Sequence, residues 1–321
     1  LEEAARSGVA DHLVTEFTPM SDLRGSLEYR KLLIRDLLLK VLSNSGMDSI
    51  PAPVSAKPPE ASTLRHESAI SHVTGSARYT QDIAIRRGAL HVWPLRSNVA
   101  RGRLLEVDVS DALAMPGVVT VLTAKDVPGA NNTGPARHDE PLFAEESIEF
   151  HGQLIAVVVA DSLDRARLAA QRVIVRIEKV DPLVGIENAI ASESFHTTPH
   201  VLKRGDVDAA LLASPHRIEG TFHIGGQEQF YLETHASLAE PDGEGGVHVW
   251  SSTQHPSETQ TIVAEVLGCS RNQVVVECPR MGGGFGGKET QANPWAAVCA
   301  LAAMKTGKPV SIQLDRDHDI E

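Results

Sequence analysis

A chain of 321 residues, of which 42% are apolar, is long enough for about two domains with cores of their own. Acidic residues outnumber basic residues by 42 to 30, so the net charge is −12. We therefore expect neither a nucleic acid nor an anionic membrane surface as a partner, because both are bound through clusters of Lys and Arg.

The cysteine pattern argues against a disulfide framework. The chain has three cysteines, Cys269, Cys278 and Cys299, and none of them belongs to a Cys-x-x-Cys pair. This favours reduced thiols in a cytoplasmic protein over a zinc or iron–sulfur site in this chain. The longest apolar run, residues 295–304, is about half the ~20 residues that a membrane span needs.

The N-terminal part predicts one helix and a linker. Residues 26–43 have apolar positions at helical spacing, with Ser26 as the N-cap, Glu28 in the first turn and Gly46 as the terminator. Residues 47–64 contain four prolines and predict an extended linker. The chain begins without Met and without a secretory signal, so we expect it to start inside a longer protein.

Residues 65–186 alternate between predicted strands and helices. The predicted strands are 90–97, 104–110, 118–124, 153–160 and 173–180. A helix over 163–173, capped by Asp161 or Ser162, separates the last two strands, and its predicted buried face comprises Leu163, Ala166, Ala169 and Ala170. We expect these last two strands and their helix to form a βαβ unit in one sheet.

Residues 215–321 are again mixed. The predicted strands are 217–224, 229–241, 246–253, 273–278 and 309–315. The predicted helices are one with Pro256 at its first position and one over 294–304. The chain as a whole therefore predicts a mixed α/β fold.

One loop, "RMGGGFGGKET" at 280–290, has five glycines in six positions between a predicted strand and a predicted helix. Gly282 to Lys288 fits the spacing of a phosphate-binding P-loop, but Glu289 stands where that loop needs Ser or Thr for magnesium. A dinucleotide fingerprint would need an acidic residue at a strand end about 20 positions further on, and residues 300–310 contain none. Glycines that only permit positive φ angles and tight packing are a further alternative.

The same loop resembles the molybdenum-cofactor loop of the xanthine dehydrogenase and aldehyde oxidase family. Other segments resemble the family's molybdenum domain, namely 224–241, 249–260 with its "STQ" motif, and 307–319. Three resemble its α/β hammerhead domain, namely 72–83, 115–129 and 151–170. Residues 17–42 resemble the end of its FAD domain.

The resemblance implies an α+β, or mixed α/β, architecture in which an α/β hammerhead domain precedes the first part of a molybdopterin-binding domain. We expect four segments along the chain: the tail of an FAD-binding domain (1–46), the linker (47–64), the hammerhead domain (65–186) and the beginning of the molybdenum-cofactor domain (187–321).

The resemblance also implies roles for individual residues. Gln254 would donate a hydrogen bond to an oxo ligand of molybdenum. Gly284, Phe285 and Gly286 would pass beside the molybdenum–pterin cofactor, and no protein atom would bind the metal directly. Glu289 matches the acidic residue that positions substrate in purine-oxidising members, so we expect a purine such as hypoxanthine or xanthine rather than an aldehyde.

The implied chemistry is that of a molybdenum hydroxylase, in which a metal-bound hydroxide attacks a substrate carbon and hydride passes to a sulfido ligand. The electrons would leave through iron–sulfur (2Fe-2S) clusters and FAD in domains outside this chain. The general-base glutamate would lie beyond residue 321, so we expect the chain alone to be inactive. The complete cytoplasmic enzyme would be a homodimer or a dimer of heterodimers.

Three alternatives stay open at this point. The protein could oxidise an aldehyde or another N-heterocycle. It could be a P-loop nucleotide hydrolase, or a non-catalytic fragment in which the glycine loop only packs.

Overall fold

The computed structural model describes residues 3–19, 21, 26–43 and 66–320. The contacts divide the chain into two compact units, Leu1–Ala69 and Ile70–Glu321. The predicted linker over 47–64 and the predicted helix terminator Gly46 lie outside the described residues.

The first unit contains two helices that pack against each other, α1 (Glu3–Glu16) and α2 (Leu27–Ser43). The backbone N–H of Tyr29 donates to Ser26 Oγ at 3.1 Å, which confirms Ser26 as the cap of α2. Arg35 on α2 forms an ion pair with Asp11 on α1 at 2.8 Å. The helix α1 was not predicted, because three of its six apolar residues are alanines and give only a weak apolar face.

The helices of the second unit follow in chain order: α3 (Ala69–Val73, which begins at the last residue of the first unit), α4 (Thr80–Arg87), α5 (Ser110–Leu113), α6 (Leu163–Ala170), α7 (Ile186–Ala191), α8 (Val207–Ala213), α9 (Pro256–Leu267), α10 (Asn293–Thr306) and α11 (Arg316–Ile320). Two short 3-10 turns lie at Ala124–Asp126 and Arg271–Gln273. No helix in the described ranges is both long enough and apolar enough to cross a membrane.

The strands are β1 (Leu90–Arg96), β2 (Gly102–Asp108), β3 (Val118–Leu122), β4 (Ser147–Ile148), β5 (Leu154–Ala160), β6 (Ile174–Lys179), β7 (Ala236–Pro241), β8 (Val247–Ser251), β9 (Val274–Glu277) and β10 (Val310–Gln313). They form a seven-stranded sheet in the order β3-β5-β1-β10-β7-β8-β9 and a three-stranded sheet in the order β4-β2-β6. Among the described strands, only the pairs β1–β10 and β8–β9 are parallel. The predicted mixed α/β class is confirmed.

The core of the second unit lies on the seven-stranded sheet. All seven residues of β5 are buried, as the continuous apolar run predicts for a strand covered on both faces. The helix α10 is buried along most of its length and packs on β7, β8 and α9. Its alanines allow a close approach of helix to sheet, and Pro294 lies in its first turn as expected.

The predicted βαβ unit is wrong. The strand β5 belongs to the seven-stranded sheet, whereas β6 pairs antiparallel with β2 in the three-stranded sheet. The helix α6 between them is capped by Ser162, which accepts from the N–H of Arg165 at 3.4 Å. Its buried face contains Ala166, Ala169 and Ala170 as predicted, but Leu163 is 44% exposed.

Residues 217–224 do not form the predicted strand. Their apolar and polar residues alternate as in a strand, yet the structure leaves them without regular secondary structure. Ile218, Phe222 and Ile224 are 99%, 88% and 89% exposed. Alternation alone is insufficient because a strand also needs a neighbour for its main-chain hydrogen bonds, and no described strand pairs with this segment. The predicted strand over 229–241 is shorter in the structure, where only its last part, β7, is a strand.

A buried carboxylate attaches α11 to the core. The Asp319 side chain is fully buried, and its Oδ1 accepts from both the backbone N–H and the ring Nδ1 of His235, at 2.8 Å and 2.7 Å. Burial alone would raise the pKa of Asp319, but the hydrogen bonds from His235 outweigh it and hold the pKa below 3.8.

We expect Gly129→Ala to destabilise the second unit by about 1–3 kcal/mol, because a new methyl group would overlap main-chain atoms. A Cβ on Gly129 would lie 2.1 Å from the carbonyl oxygen of Glu265 and 2.5 Å from the N of Gly268 at the end of α9. The measurement is urea unfolding followed by circular dichroism. The control is Gly220→Ala, where a Cβ meets no atom within 4 Å; equal midpoints for the two variants would contradict the prediction.

We expect Asp319→Asn to cost about 2 kcal/mol near neutral pH, because hydrogen bonds to a charged group are lost. The folded state binds the Asp319 proton less tightly than the unfolded chain does, so the ionised carboxylate stabilises the fold above pH 3.8. This contribution disappears as the pH falls through the lowered pKa. The difference in the free energy of unfolding between wild type and variant should therefore shrink as the pH is lowered from 7 to 3. A difference that does not change with pH would refute the stabilising role of the ionised Asp319.

Candidate cofactor site

The glycine loop connects β9 to α10 and is hydrogen-bonded to the residues that follow β8. The backbone N–H of Gln254 donates to the carbonyl oxygen of Lys288 at 2.8 Å. In return, the side-chain Oε1 of Gln254 accepts from the backbone N–H groups of Gly286 at 2.9 Å and Lys288 at 3.2 Å. The structure therefore brings the STQ segment and the glycine loop together, although more than thirty residues separate them.

These contacts determine which way the Gln254 amide faces. Two N–H donors meet one end of the amide, so that end must be the oxygen, since an NH₂ group there would oppose both donors. The Nε2 group then points away from the loop, and it makes no hydrogen bond to any described residue. Gln254 is exposed. The arrangement therefore presents a neutral hydrogen-bond donor at the surface in a fixed orientation.

The glycines of the loop serve two different purposes. A Cβ on Gly284 would lie 2.5 Å from Gln254 Oε1, so a side chain at this position would displace the Gln254 amide. Gly286 has a φ of 97°, which disfavours other residues, and a Cβ there would meet no described atom within 4 Å. The surface at Gly286 is therefore open and can be approached closely by an external group.

Phe285 and Glu289 flank this surface. Phe285 is 77% exposed and has a φ of 53°, which is unusual for a residue with a side chain. Glu289 is exposed, and its backbone N–H donates to the carbonyl oxygen of Gly286 at 3.4 Å. Its carboxylate makes no hydrogen bond or ion pair with any described residue. Both residues thus belong to the same turn as Gly286.

Lys288 turns in the opposite direction, into the protein. Its side chain is fully buried, and Nζ donates to the carbonyl oxygen of Glu233 at 2.6 Å and to Ser252 Oγ at 2.9 Å. Burial lowers the pKa of Lys288, and the nearby Glu233 carboxylate opposes that shift. A lysine held in this way is not available to a bound phosphate, so the geometry does not favour a P-loop.

Two further polar side chains, Tyr231 and His235, lie next to the buried Lys288. The Tyr231 ring is 4.5 Å from Lys288 Nζ, and its hydroxyl is 3.1 Å from His235 Nδ1. Burial and the Asp319 charge raise the pKa of Tyr231 well above its ordinary value. Glu233, Tyr231 and His235 were not predicted from the sequence as functional residues. No local pattern marks them, because their partners are distant in the sequence.

Two surface cavities lie elsewhere in the second unit, and neither is lined by Gln254 or by the glycine loop. One of about 350 Å³ begins at His255, the neighbour of Gln254, and extends along α9 to Arg271. Another of about 430 Å³ lies near the end of α10 and includes no residue of the glycine loop. Within the described ranges, no group of three or more His, Cys, Asp and Glu side chains is arranged to hold a metal ion.

Comparison with known proteins identifies both parts of the second unit. Residues 74–181 match the family model "Aldehyde oxidase and xanthine dehydrogenase, a/b hammerhead domain". Residues 192–321 match the family model "Molybdopterin cofactor-binding domain". The second match contains both Gln254 and the glycine loop.

Curated relatives are similar over most of this chain. The chain is 44% identical over 258 residues to xanthine dehydrogenase/oxidase of Gallus gallus, which is 80% of this chain and 19% of the relative. It is 42% identical over 265 residues to xanthine dehydrogenase of Dictyostelium discoideum, which is 82% of this chain and 19% of the relative. The chain therefore spans about a fifth of the length of these relatives.

Solved structures of other oxidoreductases also superimpose on most of this chain. Aldehyde oxidoreductase from Desulfovibrio gigas superimposes with a TM-score of 0.73 at 25% identity, over 97% of this chain and 38% of that one. Quinoline 2-oxidoreductase from Pseudomonas putida 86 superimposes with a TM-score of 0.70 at 28% identity, over 80% of this chain and 34% of that one. The expected fold, a hammerhead domain followed by a molybdopterin-binding domain, is confirmed, and none of these matches favours a P-loop hydrolase. The chain belongs to the xanthine dehydrogenase and aldehyde oxidase family of molybdenum oxidoreductases.

Proposed function

We propose that this chain is part of a purine-oxidising molybdenum hydroxylase with xanthine dehydrogenase activity, and that Gln254 and the loop from Gly284 to Gly286 face its molybdenum–pterin cofactor. One observation carries the proposal. The loop's own N–H groups hold the oxygen of Gln254, so the amide NH₂ is directed outward beside the open surface of Gly286.

This surface fits the proposed cofactor. A bulky pterin needs a backbone that it can approach closely, and the Cβ side of Gly286 is empty. Oxygen and sulfur ligands of a metal need hydrogen-bond donors, and Gln254 Nε2 is such a donor. When bound, the cofactor supplies the metal centre at which the substrate carbon is hydroxylated and its electrons are taken up.

The residues of this chain bind the cofactor and orient the substrate. Gln254 positions the cofactor through its neutral amide, which donates without releasing a proton. Glu289 positions the substrate, since an exposed carboxylate without a described partner can accept a hydrogen bond from a ring N–H of a purine. The names of the curated relatives support a purine, whereas the solved structures include an aldehyde and a quinoline oxidoreductase.

The remaining parts of the proposed enzyme belong to other domains. We propose residues 1–46 as the tail of an FAD-binding domain, 47–64 as a linker, 65–186 as the hammerhead domain and 187–321 as the first part of the cofactor domain. FAD, iron–sulfur clusters and the general base would come from outside this chain, and the complete enzyme would be a dimer. A cytoplasmic location is supported by three cysteines that are all free thiols.

We expect Gln254→Glu in the complete enzyme to lower kcat with hypoxanthine by about 10²–10³-fold, the typical effect of removing one preorganised donor. The carboxylate still accepts from the N–H groups of Gly286 and Lys288, so the loop keeps its position while the outward donor is lost. The measurement is kcat per bound molybdenum. The matched control is Gln291→Glu, the same change at an exposed glutamine nearby, and an unchanged kcat in Gln254→Glu would exclude the proposed role.

We expect Glu289→Gln to reduce kcat/KM for xanthine by about 10–100-fold, the usual effect of removing the charge from one hydrogen bond. The loss should be much smaller for an aldehyde, which lacks the ring N–H. Steady-state assays with xanthine and benzaldehyde provide the measurement, and Glu244→Gln in the exposed turn between β7 and β8 is the control. Equal losses for both substrates would argue against substrate positioning by Glu289.

A further inference from the structure

We propose that Glu233 and Lys288 are positioning residues, forming an ion pair that holds both ends of the glycine loop and thereby directs Gln254 and Gly286 toward the cofactor. Only one part of this inference rests on the proposed function, namely that Gln254 and Gly286 face a cofactor. The pair itself is a feature of the chain and can be tested without the cofactor.

The end of the loop is held by the ammonium group of Lys288. Its three N–H groups face four acceptors: the carbonyl oxygens of Glu233 at 2.6 Å and Thr234 at 3.3 Å, Ser252 Oγ at 2.9 Å and Glu233 Oε2 at 3.3 Å. The side chain is fully buried, so water does not compete for these contacts. The backbone of the same residue donates to Gln254 Oε1, which couples the buried anchor to the exposed amide.

The start of the loop is held by the carboxylate of Glu233. Its Oε2 accepts from the backbone N–H of Gly282 at 2.8 Å and from Ser252 Oγ at 2.6 Å. The backbone N–H of Glu233 also donates to the carbonyl oxygen of Gly282 at 3.1 Å. One ion pair therefore fixes residues 282 and 288, and only the five residues between them remain to form the surface.

The ionic character of the pair points to positioning rather than to stability. Two apolar residues of similar volume are often as good as or better than a buried ion pair, because removing charges from water is costly. Hydrogen bonds from charged groups, however, are about twice as strong as neutral ones, so an ammonium with four acceptors favours the loop conformation that supplies them. A glycine-rich segment has the greatest need for such selection, because its backbone has many accessible conformations.

The test is hydrogen–deuterium exchange on the 321-residue chain with the double variant Glu233→Gln/Lys288→Met, which removes both charges together. We expect the amides of Gly286 and Lys288 to exchange at least about tenfold faster, while those of the buried strand β5 keep their rates. The control is Asp126→Asn/Lys305→Met, which removes the ion pair at the C-terminal end of α10, the end opposite the glycine loop. Unchanged loop exchange, or equal acceleration in β5, would overturn the proposal.

Two further measurements keep the outcome decisive. Glu233→Gln alone preserves volume and an acceptor, so it provides the exchange result if the double variant does not fold. In the complete enzyme, we expect the double variant to lose molybdenum on dialysis about tenfold faster than the control pair. If the double variant retains molybdenum normally although its loop amides exchange faster, the positioning role is overturned. If the wild-type enzyme contains no molybdenum, the proposed function is refuted and the exchange result is unaffected.

Discussion

Two hydrogen bonds from the main chain of the glycine loop to the side-chain oxygen of Gln254 determine what this region of the protein can bind. They join the segments that follow the neighbouring strands β8 and β9 into one surface. They also orient the amide, because the acceptor is occupied inside the protein and the donor must face outward. A side chain that is exposed and yet oriented is preorganised, so little conformational freedom is lost when a ligand binds.

The glycine loop combines close packing with an open surface. Gly284 is small because Gln254 occupies the adjacent space, whereas Gly286 leaves space that the described protein does not fill. Packing thus explains the glycine at position 284, and a positive φ explains the glycine at 286, where the adjacent space also stays open. The close packing and the open surface are both needed, because a loop that was not held to Gln254 would not keep its shape beside a cofactor.

Beneath the surface, charge is buried in a connected arrangement. The Glu233–Lys288 pair contacts the loop, the Tyr231 ring lies against Lys288, and Tyr231 leads through His235 to Asp319. Most of these groups have hydrogen-bond partners, as buried polar groups require. The exception is His235 Nε2, which is buried and has no hydrogen-bond partner among the described residues. The region under the loop is therefore polar, while the rest of the sheet packs through apolar residues such as those of β5.

The sequence by itself determined the helices and strands with strong local patterns, together with the position of the glycine loop between a strand and a helix. A cap such as Ser26, a buried apolar run such as β5 and a tract of glycines are all encoded by neighbouring residues. Tertiary structure alone decided that β6 joins a different sheet from β5, that residues 217–224 remain unpaired and that Lys288 turns inward to Glu233. Each of these outcomes depends on partners far away along the chain, and local periodicity carries no information about which distant groups meet.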